Sequence, residues 1–217
     1  TEEGIVGRSY LEPYLKQAAR YVMPAIHDLA GARKGQAIRP VEDFQKGQKA
    51  LQLMGYEGVS MIAVSGLDMA AWDALAKAAN MPLAVLLGGS IGPVPAYNSN
   101  GLGLLGARAT AAQVPVLLKR GFTALKLRLG YASLKEDLDV LRAVQAELPA
   151  GTQLMVDYNQ ALTLQEALLR GRRLQEHGVY WLEEPIRHDD WDGCATLARE
   201  LEMPLQMGET LDTPKDV

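Results

Sequence analysis

Three acids in the second half of the chain stand at even intervals. Asp157, Glu183 and Glu209 are each 26 residues apart, and each closes a short apolar run: Leu154-Met155-Val156-Asp157, Val179-Tyr180-Trp181-Leu182-Glu183 and Pro204-Leu205-Gln206-Met207-Gly208-Glu209. A repeat of that length holds one strand, one helix and two short loops. Acids at the same place in successive units become neighbours at one end of a parallel sheet. Three ionised carboxylates side by side would raise one another's pKa unless a counter-charge sits among them. A divalent cation supplies it. An all-oxygen donor set favours Mg2+, with Mn2+ or Ca2+ next.

Upstream, Lys126 and Arg128 lie two residues apart in a run that reads as a strand. Both therefore point to one face, while Leu125, Leu127 and Leu129 point to covering helices. Two cations on one inner face need anions, and Asp157 and a substrate carboxylate are the candidates. A purely structural reading pairs them with Asp157 and Glu183. The three spaced acids beside them favour a site. Asn159 shares the face of Asp157 and is placed to donate to a ligand or a metal-bound water. Ser99, at the end of an earlier strand, is placed to do the same. Glu184 is expected to point away from Glu183, into an outer ion pair or supporting contact. His27 and His177 fall on helices and read as surface groups, and His188 reads as a solvated loop residue.

The elements that must position these groups alternate strictly. Residues 1–90 read as mainly helical. Leu15, Ala18, Ala19, Val22, Ile26 and Leu29 recur at helical spacing, with Pro24 a kink and Gly31 a stop. Pro40 to Leu51 is a second helix. Ser65 to Asn80 is a third, on which Asp68 and Asp73 read as surface or packing acids. From Pro93 strand follows helix: Val94–Asn98, a helix over 109–119, Phe122–Leu129, then the three acid-ending strands. Ser133-Leu-Lys-Glu136 and Thr163-Leu-Gln-Glu166 are capping boxes that open two of the helices. Five strand units without a hairpin turn predict a parallel α/β fold. Charges on one strand face suit the mouth of a closed barrel. Five strands do not close one, so about three further units are expected after Val217. The strand-like Gly4-Ile5-Val6-Gly7 near Thr1, and a Thr213-Pro214 helix start near the other end, read as cut ends of a longer protein.

Bulk properties narrow the classes. A chain of 217 residues, 48% hydrophobic, makes one or two domains. A net charge of −4 without a long basic run argues against nucleic acid. The longest apolar stretches read as too short for a membrane span, and no signal peptide opens the chain. The single cysteine, Cys194, excludes an internal disulfide and fits a reducing, cytoplasmic compartment.

Five segments in order resemble the enolase superfamily, in its mandelate racemase and muconate lactonizing enzyme group. They are Gly66-Leu-Asp-Met-Ala-Ala-Trp-Asp-Ala-Leu75, Lys126-Leu-Arg128, Val156-Asp-Tyr-Asn-Gln160, Trp181-Leu-Glu-Glu-Pro185 and Gln206-Met-Gly-Glu209. The resemblance implies a modified (β/α)8 TIM barrel, with residues 1–90 as part of an α+β capping domain and 91–217 as the first part of the barrel. It implies Mg2+ held by Asp157, Glu183 and Glu209, and removal of the proton next to the carboxylate of a small substrate through an enediolate. Pairing a Lys or His base with Mg2+ is an established pattern of that superfamily, not something this sequence shows by itself. Lys126 falls where the family keeps a lysine that neutralises the substrate carboxylate. Tyr14 falls where a capping loop passes over the substrate. Family members form homo-oligomers, and this is the expectation here.

Arg128 departs from the pattern, which commonly has a base lysine there. Arginine stays protonated near pH 7 and is a poor base. A racemase needs a base on each face of the carbon. The balance therefore tips to a lyase that dehydrates a hydroxy or sugar acid, ahead of a racemase. The other base, in the family a histidine paired with an aspartate on later strands, is expected beyond Val217. Two alternatives stand beside this: a metal-independent carboxylate-pair hydrolase using Glu183 and Glu209, and a non-catalytic partial barrel whose open strand edges need a partner.

Overall fold

A computed structural model describes residues 1–55 and 57–211. The Thr213-Pro214 helix start lies outside the described residues. The chain divides into two compact units, with the described residues falling into 1–93 and 94–211.

The first unit is helical. A short 3-10 turn, Lys16–Ala18, leads into α1 (Ala19–Arg33), followed by α2 (Pro40–Leu51), α3 (Val59–Ala78) and the single turn α4 (Leu83–Leu86). α1 carries Pro24 inside it and runs through Gly31, ending at Arg33 instead of at the expected glycine stop. α2 has the expected bounds. Pro40 occupies the first turn, where a missing N–H costs nothing, and Glu42 and Asp43 sit at the positive end of the helix dipole. α3 starts six residues before the expected Ser65, because the apolar Val59-Ser60-Met61-Ile62-Ala63-Val64 run extends the same helix. α1 and α2 pack on α3, burying Met61, Ala63, Val64 and Ala74. By length and composition alone α3 could cross a membrane, which corrects the reading that no apolar stretch is long enough. It is nonetheless a packed helix carrying Asp68, Asp73 and Lys77. Asp73 accepts from Lys77 Nζ at 2.6 Å and from the Arg8 backbone N–H at 2.7 Å, so it is the packing acid expected.

The second unit is built on a parallel sheet in the order β1 (Ala124–Arg128), β2 (Gln153–Asp157), β3 (Leu182–Glu183) and β4 (Leu205–Gln206). Its helices are α5 (Ala107–Ala111), α6 (Val114–Leu118), α7 (Leu134–Ala146), α8 (Leu164–Glu176) and α9 (Trp191–Glu200). The parallel α/β expectation holds, with four strands among the described residues in place of five. The expected strand at Val94–Asn98 is reduced to one bridge, Asn98 to Leu125. Pro93 and Pro95 lack the N–H groups that a ladder requires. The single helix expected over 109–119 is two short ones. Pro115 has no N–H to continue the first and sits in the first turn of the second, where none is needed.

Both capping boxes form as read, at Ser133 with Glu136 and at Thr163 with Glu166. α7, α8 and α9 then cover one face of the sheet. Leu125, Leu127 and Leu129 sit fully buried against Leu141, Val144, Leu174 and Leu197. Each such leucine contributes about 1.5–3 kcal/mol on leaving water. This burial locks strand register, since a slip of one residue would turn Lys126 and Arg128 into the core.

Candidate active site

Register brings the site residues together. Arg128 pairs with Asp157 across β1 and β2, and Asp157 pairs with Glu183 across β2 and β3. The next partner of Glu183 is Gln206, so Glu209 lies three residues past its register position. The even spacing of the acids therefore does not mean equal places on the strands. Glu209 returns to the group through a turn at Gly208, whose φ of 133° suits only glycine. One oxygen from each of Asp157, Glu183 and Glu209 lies within 4.8 Å of the others. Asp157 and Glu183 are buried and Glu209 is exposed.

Lys126 stands between the two buried acids. Its Nζ donates to Glu183 Oε1 at 2.7 Å and lies 3.0 Å from Asp157 Oδ2. Arg128 Nη2 is 3.6 Å from the same Asp157 oxygen, with about half of its side chain exposed. Both ion bridges of the structural reading are thus present alongside the convergent acids. Burial opposes the charge on Lys126, but hydrogen bonds to Glu183 and Asp157 and their negative charges outweigh it and raise its pKa. The lysine is a fixed cation.

The remaining oxygens of the buried acids are also held. Asn159 donates its backbone N–H to Asp157 Oδ1 at 2.7 Å and its side-chain amide to Oδ2 at 3.1 Å. Its backbone N–H and one amide N–H are engaged by Asp157, while its own buried Oδ1 has no hydrogen-bond partner. Trp181 Nε1 donates to Glu183 Oε2 at 3.2 Å. The Trp181 ring meets Tyr97 edge to face, with centroids 5.4 Å apart, and Lys126 Nζ lies 6.0 Å over the Tyr97 ring. Neither aromatic residue was assigned a role from sequence. Trp181 precedes Glu183 by two, so strand alternation alone could have placed it on the same face.

His188 corrects the sequence reading, and Glu184 makes the supporting contact of the two expected alternatives. Glu184 adopts a left-handed φ of 33°, outside regular strand backbone. It is buried without an ion pair, accepting from Gln160 Nε2 at 2.8 Å and Thr210 Oγ1 at 3.2 Å. It borders the same cavity, of about 300 Å³, as Tyr97, Lys126, Glu183 and Glu209. His188 is half-buried instead of solvated, since its backbone N–H and Nδ1 both face Gln160 Oε1, at 3.1 and 3.0 Å. Asn159 and Gln160 are also left-handed, at φ 43° and 64°. Non-glycine residues in that region cluster where side chains must be aimed.

Ser99 is exposed beside Asn98, and no hydrogen bond or ion pair joins it to the acids. Tyr14 belongs to the first unit, exposed and with φ 58°. A larger cavity of about 920 Å³ opens among α1, α2 and α3 and is bordered by Asp68, whose pKa burial raises. Size does not locate the chemistry here, because that cavity has no set of converging acids.

Comparison with known proteins settles the family. One family model, the mandelate racemase / muconate lactonizing enzyme N-terminal domain, matches residues 1–88. A second, the enolase C-terminal domain-like model, matches residues 108–217. The chain belongs to the mandelate racemase / muconate lactonizing enzyme family. It is 36% identical over 172 residues to an arabinonate dehydratase from Saccharolobus solfataricus, covering 78% of this chain and 46% of that protein. The fold matches a crystal structure of an enolase from alpha proteobacterium bal199 with bound magnesium, at 46% identity and a TM-score of 0.94, over 99% of this chain and 60% of that one. It also matches an enolase from Bradyrhizobium complexed with magnesium and mandelic acid, at 35% identity and a TM-score of 0.92, over 99% of this chain and 59% of that one. The chain thus spans roughly half the length of the relatives it matches.

Proposed function

We propose that this chain carries the metal-binding part of an Mg2+-dependent active site that removes the proton next to the carboxylate of a small hydroxy acid. The observation that carries the reading is the convergence of Asp157, Glu183 and Glu209 within 4.8 Å. The donor set fits Mg2+. Oxygens about 2.1 Å from one ion stand about 3 Å apart when adjacent and about 4.2 Å when opposite. Three carboxylates that converge from adjacent strand ends, one of them exposed and two buried, supply the oxygen donors such an ion takes. When bound there, Mg2+ would supply positive charge against the substrate carboxylate as charge builds on the carbon that loses its proton.

The chain's own residues do the rest. Lys126 stays protonated and presents a fixed charge to the substrate carboxylate. Asn159 and Trp181 hold Asp157 and Glu183 in place. Arg128 has a half-exposed guanidinium that can hold a substrate oxygen but does not take a proton at neutral pH. One face of the carbon then lacks a base, which suits dehydration of a hydroxy or sugar acid, as by the arabinonate dehydratase relative. Ser99 is assigned to substrate contact from its place directly after Asn98, and Tyr14 on the family pattern. Homo-oligomeric assembly is assigned on the same basis.

Racemisation is the second reading, favoured by the mandelic acid complex of the Bradyrhizobium relative. The deciding experiment treats the full-length protein with EDTA, restores Mg2+, and assays acid sugars and mandelate for loss of water and for exchange of the α-hydrogen in D2O. Metal-restored water loss supports dehydration, and exchange with inversion supports racemisation. Turnover that persists in EDTA contradicts the metal-dependent reading and favours a carboxylate-pair hydrolase.

A further inference from the structure

A second ionic cluster lies outside the site, fully buried. Asp137, on the first turn of α7, has no exposed surface and accepts four hydrogen bonds. Two come from backbone N–H groups of the loop after β1, Gly130 at 3.1 Å and Tyr131 at 2.9 Å. The third comes from Tyr158 Oη at 2.8 Å, and the fourth from Arg170 Nη1 at 2.6 Å. Arg170, on α8, also donates to the Tyr131 carbonyl at 3.0 Å. The Tyr131 hydroxyl in turn accepts from the Gly106 N–H at 2.7 Å, at the start of α5.

Every strand end touched by this cluster is one that carries a site residue. Tyr158 directly follows Asp157, and the Gly130–Tyr131 loop begins two residues after Arg128. Gly130 adopts a φ of 124°, so this loop shape depends on glycine. Buried ion pairs are poor sources of net stability and good at fixing one arrangement. A carboxylate with four donors from three elements has a single low-energy position.

We infer that Asp137, Arg170 and Tyr158 form a positioning clamp that sets the mouth ends of β1 and β2, and through them the place of Asp157 in the metal site. The inference rests on the function proposed above. Tyr158 is a positioning residue and touches neither metal nor substrate. Its hydroxyl ties the residue after Asp157 to Asp137, while Asn159 donates to Asp157 directly.

The test is Tyr158→Phe in the full-length protein, read by calorimetric titration with Mg2+ and by kinetics. The ring and the Asp137–Arg170 pair remain, so the fold is retained. Mg2+ affinity is expected to fall about tenfold, with kcat reduced and KM little changed at saturating metal. Val144→Ala, which opens a cavity in the α7 core, is the control. It should lower the melting temperature at least as much while leaving Mg2+ affinity unchanged. Wild-type Mg2+ affinity in Tyr158→Phe, or an equal loss in Val144→Ala, overturns the clamp. If Tyr158→Phe does not yield folded protein, Arg170→Lys carries the test. It keeps the charge opposite Asp137 but releases the Tyr131 carbonyl, and unchanged Mg2+ affinity there also overturns the clamp. Absence of Mg2+ uptake by the unaltered protein would instead sink the proposed function, so the two failures are distinct.

Discussion

Lys126 Nζ lies 2.7 Å from Glu183 Oε1, with Asp157 Oδ2 only 3.0 Å away on its other side. A permanent cation thus borders two of the three carboxylates that would bind metal. It lowers the repulsion among them and at the same time competes with a divalent ion for their charge. The balance predicts opposite effects on binding and catalysis when Lys126 is neutralised. Lys126→Met should bind Mg2+ as tightly as the unaltered protein or more tightly, while turnover falls at least about a hundredfold through loss of charge stabilisation. Calorimetry and kinetics on one preparation check this. Weaker Mg2+ binding would make the lysine a structural brace only.

Arg128 decides between two reaction outcomes. Arg128→Lys replaces a group that keeps its proton with one whose pKa can be tuned toward neutrality. The variant should gain exchange of the substrate α-hydrogen in D2O and racemisation over the unaltered protein. Efficient racemisation by the unaltered protein would remove the argument from arginine.

Trp181 holds the second oxygen of Glu183 at 3.2 Å. Trp181→Phe keeps the ring against Tyr97 and removes the donor. One such hydrogen bond is worth about 1 kcal/mol, so Mg2+ affinity should weaken roughly fivefold. The same indole should report metal binding as a change in tryptophan fluorescence, absent in the variant.

Tyr158 makes stability sensitive to alkali. Burial, and then the charge and hydrogen bond of Asp137, raise its pKa above the ordinary 10.0. The unfolded chain loses this proton near pH 10 and the folded chain keeps it. The contribution is therefore complete below about pH 10 and is lost as pH rises beyond it. Chemical denaturation midpoints measured on both sides of pH 10 should fall less steeply for Tyr158→Phe than for the unaltered protein. Identical slopes would show that Tyr158 ionises alike in both states.

Much of this was legible in the residues because it depends on local rules. Both capping boxes state a helix start within four residues, and α2 announces itself through Pro40 and its acidic first turn. The alternation in Leu125-Lys126-Leu127-Arg128 gave the two faces of β1. Features set by non-local geometry were not legible. Prolines 93, 95 and 115 cut a strand and a helix that periodicity alone extends. Glu184 adopts left-handed backbone and is held by Gln160 and Thr210, and no pattern in Glu183-Glu184-Pro185 announces that. The spacing of 26 residues picked out three acids that do converge, for a partly wrong reason. Glu209 reaches the cluster through the Gly208 turn, three residues past the partner of Glu183. No sequence pattern marks Asp137, because the partners that make it a buried hub, Tyr158 and Arg170, lie far along the chain.

The most direct measurement is calorimetric titration of the metal-free full-length protein with Mg2+, alongside Asp157→Asn and Glu209→Gln. The account predicts one ion bound per chain in the unaltered protein, and binding reduced at least about a hundredfold in each variant. No uptake by the unaltered protein, or uptake that both variants retain, would contradict it.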